Sequence, residues 1–285
     1  MAEPRTSISP TAHYTAAVWA RNGLSHPALS TQSGRAMYWS SWPVMRAVQG
    51  LGGVGLEDFL LARHALIDQR LELAIESGRV SQVIEVAAGM SPRGWRFADR
   101  YGERIAYLET DLPEMVERKR AALRGAGLLG PGHRVEVLDA LAENGERSLG
   151  DVAGGLEPGG GVAIITEGLL TYLDRAAVLG LWRRAAEALA RFPHGLMLSD
   201  LHLAGENRGA TTAIGMRLLS MFVRGEVRMH FEDEAAALAA LRAAGFADAA
   251  VHRGSEVSDT RGAASIRVIE SSTGKRGGQA AGQPE

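Results

Sequence analysis

The sequence predicts an α/β fold: a mostly parallel, Rossmann-like sheet of seven strands flanked by helices. Three observations carry that expectation. From Leu56 to about Glu270, segments of helical periodicity alternate with short apolar runs of strand type. A glycine-bearing turn, Glu85-Val-Ala-Ala-Gly-Met90, follows the first of those runs. An acidic residue, Asp111, closes the second run, 22 residues beyond Gly89.

Residues 1–55 lack strong periodicity but hold Tyr14, Trp19, Tyr38, Trp39 and Trp42, and so three of the five tryptophans of the 285-residue chain. They read as an N-terminal helical extension. Its aromatics either pack on the core or, as with Tyr14 and Trp19, wall an acceptor pocket. Residues 56–270 form the main domain. Phe59, Leu60, Leu66, Ile67, Leu71 and Ala74 recur at helical spacing, with Gly78 as the stop. Strands are expected at Gln82–Ala87, Ile105–Glu109, Val135–Leu138, Val162–Thr166 and Leu196–Leu201. Two more are expected near Ala249–His252 and Ser265–Ile269.

Pro113 suits the first turn of a helix running to about Arg124, and Asp174 is placed to cap another. An alanine-rich helix spans Ala235–Ala244 and ends at Gly245. Residues 204–230 are long for a strand-to-helix connection. Their apolar stripe of Ile214, Leu218, Leu219, Met221 and Phe222 reads as a lid insertion or as a core-packing helix. Residues 271–285, without a large apolar side chain, read as a disordered tail.

Composition narrows the function classes. A net charge of −2 gives no argument for nucleic acid or a membrane surface as partner. With no cysteine, disulfides, thiolate catalysis and cysteine-held metal are excluded, and no metal is expected. Neither a signal peptide nor an apolar run of spanning length is visible, so the cytoplasm is the expected location.

Chemistry-bearing residues fall at the ends of successive strands. Gly89 permits close backbone approach to a ligand. Asp111 is placed to accept from ribose hydroxyls, or to cap the following helix. Asp139-Ala-Leu141 would hold an adenine amino group and pack on its ring, or form a plain turn. Glu167, directly after a buried apolar strand, is costly unless paired or facing a site. The loop Ala87-Ala-Gly-Met-Ser-Pro-Arg-Gly94 lacks the Gly-x-Gly-x-x-Gly spacing that cradles a pyrophosphate. An adenosine ligand without pyrophosphate suits it better than a nicotinamide dinucleotide.

In these motifs the chain resembles the leucine carboxyl methyltransferase superfamily, which includes bacterial O-methyltransferases associated with polyketide biosynthesis. The resemblance covers roughly Leu61 to Leu201. It implies a class I methyltransferase fold, S-adenosylmethionine as cofactor and a small-molecule acceptor methylated on a carboxylate or hydroxyl. It also implies roles: Arg63 for the cofactor carboxylate, and Glu85, Ala87, Gly89 and Met90 as the glycine loop. Asp111 with Leu112 would serve the ribose, Asp139, Ala140 and Leu141 the adenine, and Glu167 with Gly168 would lie near the cofactor. The family loop is Gly-Ala-Gly-x-Asp-Thr-Arg. Here Ala87 replaces the first glycine and Ser91-Pro92 replace Asp-Thr, while Arg93 stays in register.

A hydroxyl acceptor would benefit from a general base, which a carboxylate does not need. His202, just past the fifth strand, is the candidate, with a structural turn histidine as the other reading. Tyr172 is a candidate for contact with cofactor or acceptor. Two rival functions remain: a noncatalytic adenosylmethionine-binding protein and a nicotinamide-dependent oxidoreductase. Neither oligomeric state nor acceptor identity is written in the sequence.

Overall fold

The structure, a computed structural model, describes residues 10–50, 55–205 and 228–274. Helices α1 (Pro10–Arg21), α2 (Gln32–Gly50) and α3 (Leu56–Glu76) lead into β1 (Gln82–Val86), α4 (Arg93–Tyr101), β2 (Ala106–Asp111) and α5 (Pro113–Gly125). There follow β3 (His133–Val137), α6 (Leu149–Gly154), β4 (Val162–Thr166), α7 (Arg175–Leu189) and β5 (Gly195–Leu201). Beyond residues 206–227 come α8 (Glu234–Ala243), β6 (Asp248–Arg253), α9 (Arg261–Ala264) and β7 (Arg267–Ser272).

The seven strands are ordered β3-β2-β1-β4-β5-β7-β6. The first five pair in parallel, and β7 runs antiparallel to both of its neighbours. β1 and β4 occupy the centre and are buried along their whole length. Successive residues of a strand turn to opposite faces, so each strand feeds two cores. Ile84, Val86, Val162 and Ile164 pack beneath Leu181 and Trp182 of α7. Val83, Ala163 and Ile165 pack with Leu66, Ile67 and Leu71 of α3 and Phe97 of α4. Each such fully buried aliphatic side chain stabilises the fold by about 1.5–3 kcal/mol.

Local signals place the helix ends. Asp174 caps α7 by accepting the N–H of Ala177 at 2.8 Å. Pro113 occupies the first turn of α5, where its missing N–H costs nothing. Gly78, at φ +73°, turns the chain after α3 and donates to the carbonyl of Ile75 at 3.0 Å.

Some boundaries differ from expectation. β1 stops at Val86 because Ala87 takes φ +53° and leaves the sheet. β2 runs on to Asp111, and β3 begins at His133 and ends at Val137. β7 continues to Ser272, past the point where a tail was expected. Ser271 is buried and pairs with both Met197 and Ala249, since ladder hydrogen bonds need no apolar side chain. Helix α4 was hidden by its polar, arginine-rich sequence. The stripe from Ile214 to Phe222 lies outside the described residues, as do residues 275–285.

α1 and α2 pack together as a third layer. Tyr14, Val18 and Tyr38 form a small core with Leu60 of α3. Trp19 packs with Leu29, Met90 and Met115, which brings α1 across the turn after β1.

Candidate active site

Strand order reverses at β1, which has β2 on one side and β4 on the other. Open α/β sheets bind ligands outside the carboxyl ends of the strands at this switch point. The turn leaving β1 is tight, with Ala87 at φ +53° and Gly89 at φ +51°. Asp111 clasps it from β2: Oδ2 accepts the Gly89 N–H at 2.7 Å and Oδ1 the Leu112 N–H at 2.8 Å. The N-cap position of α5 belongs to Leu112, so Asp111 holds the turn and does not cap the helix. Burial pushes its carboxyl above the ordinary aspartate range, and the two N–H groups offset part of that rise.

Asp139, after β3, is exposed and accepts the N–H of Leu141 at 2.9 Å in a turn. Ala140 is partly buried beside it, its carbonyl accepting from Arg184 at 2.8 Å. Leu112 and Leu141 are 42% and 43% exposed, so two large apolar side chains stand open next to two carboxylates.

Beneath the ends of β1, β4 and β5 lies a web of buried charge. Arg63 of α3 reaches Glu167 through Nε at 3.0 Å and Asp200 through Nη1 at 3.2 Å. Its approach depends on Gly168, where a Cβ would stand 3.3 Å from Nη2. Arg93, wholly buried at the start of α4, pairs with Asp68 at 2.5 Å and with Glu85 and Glu167 at 2.6 Å each. His64 places Nδ1 2.9 Å from Glu167 and 2.8 Å from Arg93, while Trp19 covers its ring at 4.7 Å.

Burial alone would raise the Glu167 carboxyl. The charges of His64, Arg93 and Arg63 hold it well below the usual carboxylate range. Asp200, which also accepts the Gly168 N–H at 2.9 Å, is likewise buried yet held low by Arg63 and His202.

The expected site residues thus divide. Asp111, Leu112, Asp139, Ala140, Leu141, Arg63, Glu167, Gly168, Ala87 and Gly89 come to one edge of the sheet. Glu85 is not open to a ligand, because it is only 1% exposed within the sheet, held by Arg93 and by the Tyr107 hydroxyl at 2.8 Å. Met90 is buried in the core under α1. Tyr14 and Trp19 are 3% and 5% exposed and pack between helices. Tyr172 sits in a short turn after β4, partly buried and close enough to Arg63 to act on its charge. His202 places Nε2 3.3 Å from Asp200 and stacks on Phe59 at 5.7 Å. His64, Asp68 and Asp200 were not expected in the site at all, since their partners are distant in sequence.

The residues fit the cofactor that the resemblance implies. Asp111 has accepted two N–H groups, and a carboxylate offers about four acceptor positions, which leaves capacity for ribose hydroxyls. Exposed Leu112 and Leu141 supply apolar surface for a purine. In the web, the carboxylates of Asp68, Glu85, Glu167 and Asp200 face Arg63, Arg93 and partly exposed Arg96, with His64 beside Glu167. A pyrophosphate is less well served. Gly94 is a packing glycine, where a Cβ would lie 2.5 Å from the Glu109 carboxyl carbon, and does not face a ligand.

Comparison with known proteins agrees with this geometry. The profile of the leucine carboxyl methyltransferase family matches residues 31–186, more than half of the chain. A Mycobacterium tuberculosis protein provisionally named an S-adenosyl-L-methionine-dependent methyltransferase is 31% identical over 148 residues, covering 52% of this chain and 45% of its own. A Streptomyces coelicolor protein of the same provisional name is 35% identical over 131 residues, 46% of this chain and 44% of its own. The matched stretches therefore span less than half the length of these curated relatives. Among solved structures, a provisionally named methyltransferase from Thermobifida fusca superposes with a TM-score of 0.62 at 14% identity. That match covers 95% of this chain and 98% of that one, and it speaks to the fold.

Proposed function

The chain belongs to the leucine carboxyl methyltransferase family, and from that premise we propose that it transfers a methyl group from S-adenosyl-L-methionine to a carboxylate or hydroxyl oxygen of a small molecule. One observation carries this reading: a single sheet edge presents Asp111 at one end and the Arg63–Glu167 pair at the other. The first is chemistry for a ribose, the second for a zwitterionic amino acid.

When bound, the cofactor supplies a methyl group made electrophilic by its sulfonium, so the protein has mainly to bind and align. Asp111 would hold the ribose hydroxyls while keeping the β1 turn in shape. Arg63 would bind the methionine carboxylate. A guanidinium suits a carboxylate geometrically, and the five N–H groups of Arg63 exceed its two contacts to Glu167 and Asp200. Glu167, kept ionised by its three cationic neighbours, would face the ammonium group. Arg93 holds Glu167 from behind and fixes α4 against α3.

Paired calorimetric titrations test these roles. Asp111→Ala is expected to weaken both S-adenosylmethionine and adenosine by about 1–3 kcal/mol, the cost of lost charged hydrogen bonds. Arg63→Ala is expected to weaken S-adenosylmethionine alone, because adenosine has no carboxylate. Equal losses of the two ligands in Arg63→Ala would count against its assignment.

A further inference from the structure

We propose that His202 and Asp200 form an acid–base dyad that directs methyl transfer to a hydroxyl, the kind of oxygen that must lose a proton as it reacts. This inference rests on the methyltransferase reading above and names the acceptor class for the same site.

The geometry is that of an oriented base. Asp200 is 3% exposed: its Oδ1 accepts the Gly168 N–H at 2.9 Å, its Oδ2 accepts from Arg63 Nη1 at 3.2 Å, and His202 Nε2 lies at ion-pair distance from Oδ2, 3.3 Å. Phe59 holds the imidazole plane, its ring centroid 5.7 Å away with 19° between the planes. The His202 side chain keeps 15% of its surface exposed, and Nδ1 has no hydrogen-bond partner among the described residues. Asp200 therefore fixes the tautomer with the proton on Nε2 and leaves Nδ1 as the acceptor.

The charged groups around the ring favour this assignment. On its own strand stands Asp200. From α3 comes Arg63, screened by its pairing with Asp200, and Glu167 reaches the group only through Arg63. On β7, Arg267 lies opposite Leu201 but faces Glu234 at 3.3 Å. No cation other than Arg63 competes for Asp200 among the described residues. A carboxylate acceptor arrives ionised and would give Nδ1 nothing to do.

In the step proposed, the hydroxyl proton passes to Nδ1 and the oxygen lone pair forms the new O–CH3 bond. The C–S bond breaks with its electron pair kept by sulfur. The products are a methyl ether, a neutral thioether and a protonated His202, which returns its proton to solvent. Asp200 is a positioning residue here, shared between His202 and Arg63.

Two measurements test this. Nitrogen NMR of the labelled histidines, with and without S-adenosylhomocysteine, reads the tautomer directly. The Nε2–H form is expected in the wild type, and Asp200→Asn is expected to lose that preference for one tautomer. A proton on Nδ1 in the wild type, or an unchanged Nε2–H tautomer in a folded Asp200→Asn, would overturn the dyad; should that variant not fold, the wild-type tautomer decides. The second measurement offers hydroxybenzoic acids, which carry both oxygens on one ring, with radiolabelled S-adenosylmethionine. Base-stable methyl ether is expected, formed about 100-fold or more slowly by His202→Gln. Base-labile methyl ester, formed at equal rates by wild type and variant, would overturn the acceptor class while sparing the methyltransferase reading. Failure of the wild type to bind S-adenosylmethionine would instead sink that reading, and the tautomer would remain measurable.

Discussion

Ala87 holds φ +53° at the position where the family loop carries its first glycine. An L-residue with a Cβ in the left-handed region pays about 1–2 kcal/mol, and glycine returns part of that through its freer unfolded chain. Ala87→Gly is therefore expected to stabilise the protein by roughly 0.5–1 kcal/mol, read as a rise in the urea midpoint at unchanged slope. A fall in midpoint would show that the Ala87 methyl earns its place by packing on the core beneath it. At this scale the sequence was informative where a residue acts on its own neighbourhood. Asp174 and Pro113 were legible as helix starts, and Asp111 as the acid closing β2. It was silent where the partner is far along the chain: Arg63 meets Glu167 and Asp200 across 104 and 137 residues. Glu85 shows the converse, a motif residue whose oxygens the fold spends on Arg93 and Tyr107.

At the scale of elements, the ion web ties α3, α4 and the ends of β1, β4 and β5 into one unit. Arg93 is its hub, touching Asp68 on α3, Glu85 on β1 and Glu167 after β4. Removing one partner of a buried ion pair costs about 3–5 kcal/mol, because the remaining charges stay desolvated. Arg93→Met, which keeps most of the volume, is thus expected to lose about that much in denaturant unfolding. Arg93→Lys should recover only part of it, since an ammonium cannot serve three carboxylates in the guanidinium plane. Full recovery by lysine would mean that charge alone matters there. The web also explains why side-chain pattern does not mark α4. Its arginines look like a solvated surface until the acids of other elements are brought against them. The end of β7 lies beyond its side-chain pattern for a related reason: Ser271 and Ser272 belong to the sheet through their backbones.

For the whole molecule, buried carboxylates set the response to acid. Asp68, Glu167 and Asp200 titrate below their ordinary range, and Glu270, between Arg70 and His252, is held down to about 2. Such groups bind fewer protons folded than unfolded, so unfolding takes up protons as the pH falls. Their contribution is complete above the ordinary carboxylate range and is lost as pH drops through the depressed folded values. Stability should hold from neutrality to roughly pH 5 and then fall steeply. Glu270→Gln should flatten part of that slope, and an identical slope would show that the Glu270 pairing with α3 is not coupled to folding. The seven-stranded, mostly parallel sheet was legible in the alternating periodicity, whereas its strand order and the antiparallel run of β7 depend on pairings between distant segments that the pattern does not report. What the pattern could not hold was the depth at which charge is buried. Cofactor binding, measured by calorimetric titration of the protein with S-adenosylmethionine, S-adenosylhomocysteine and NAD, tests the methyltransferase reading most directly. Saturable binding of the first two at one site per chain, with NAD silent, is the predicted result; binding of NAD alone would contradict the account while leaving the fold intact.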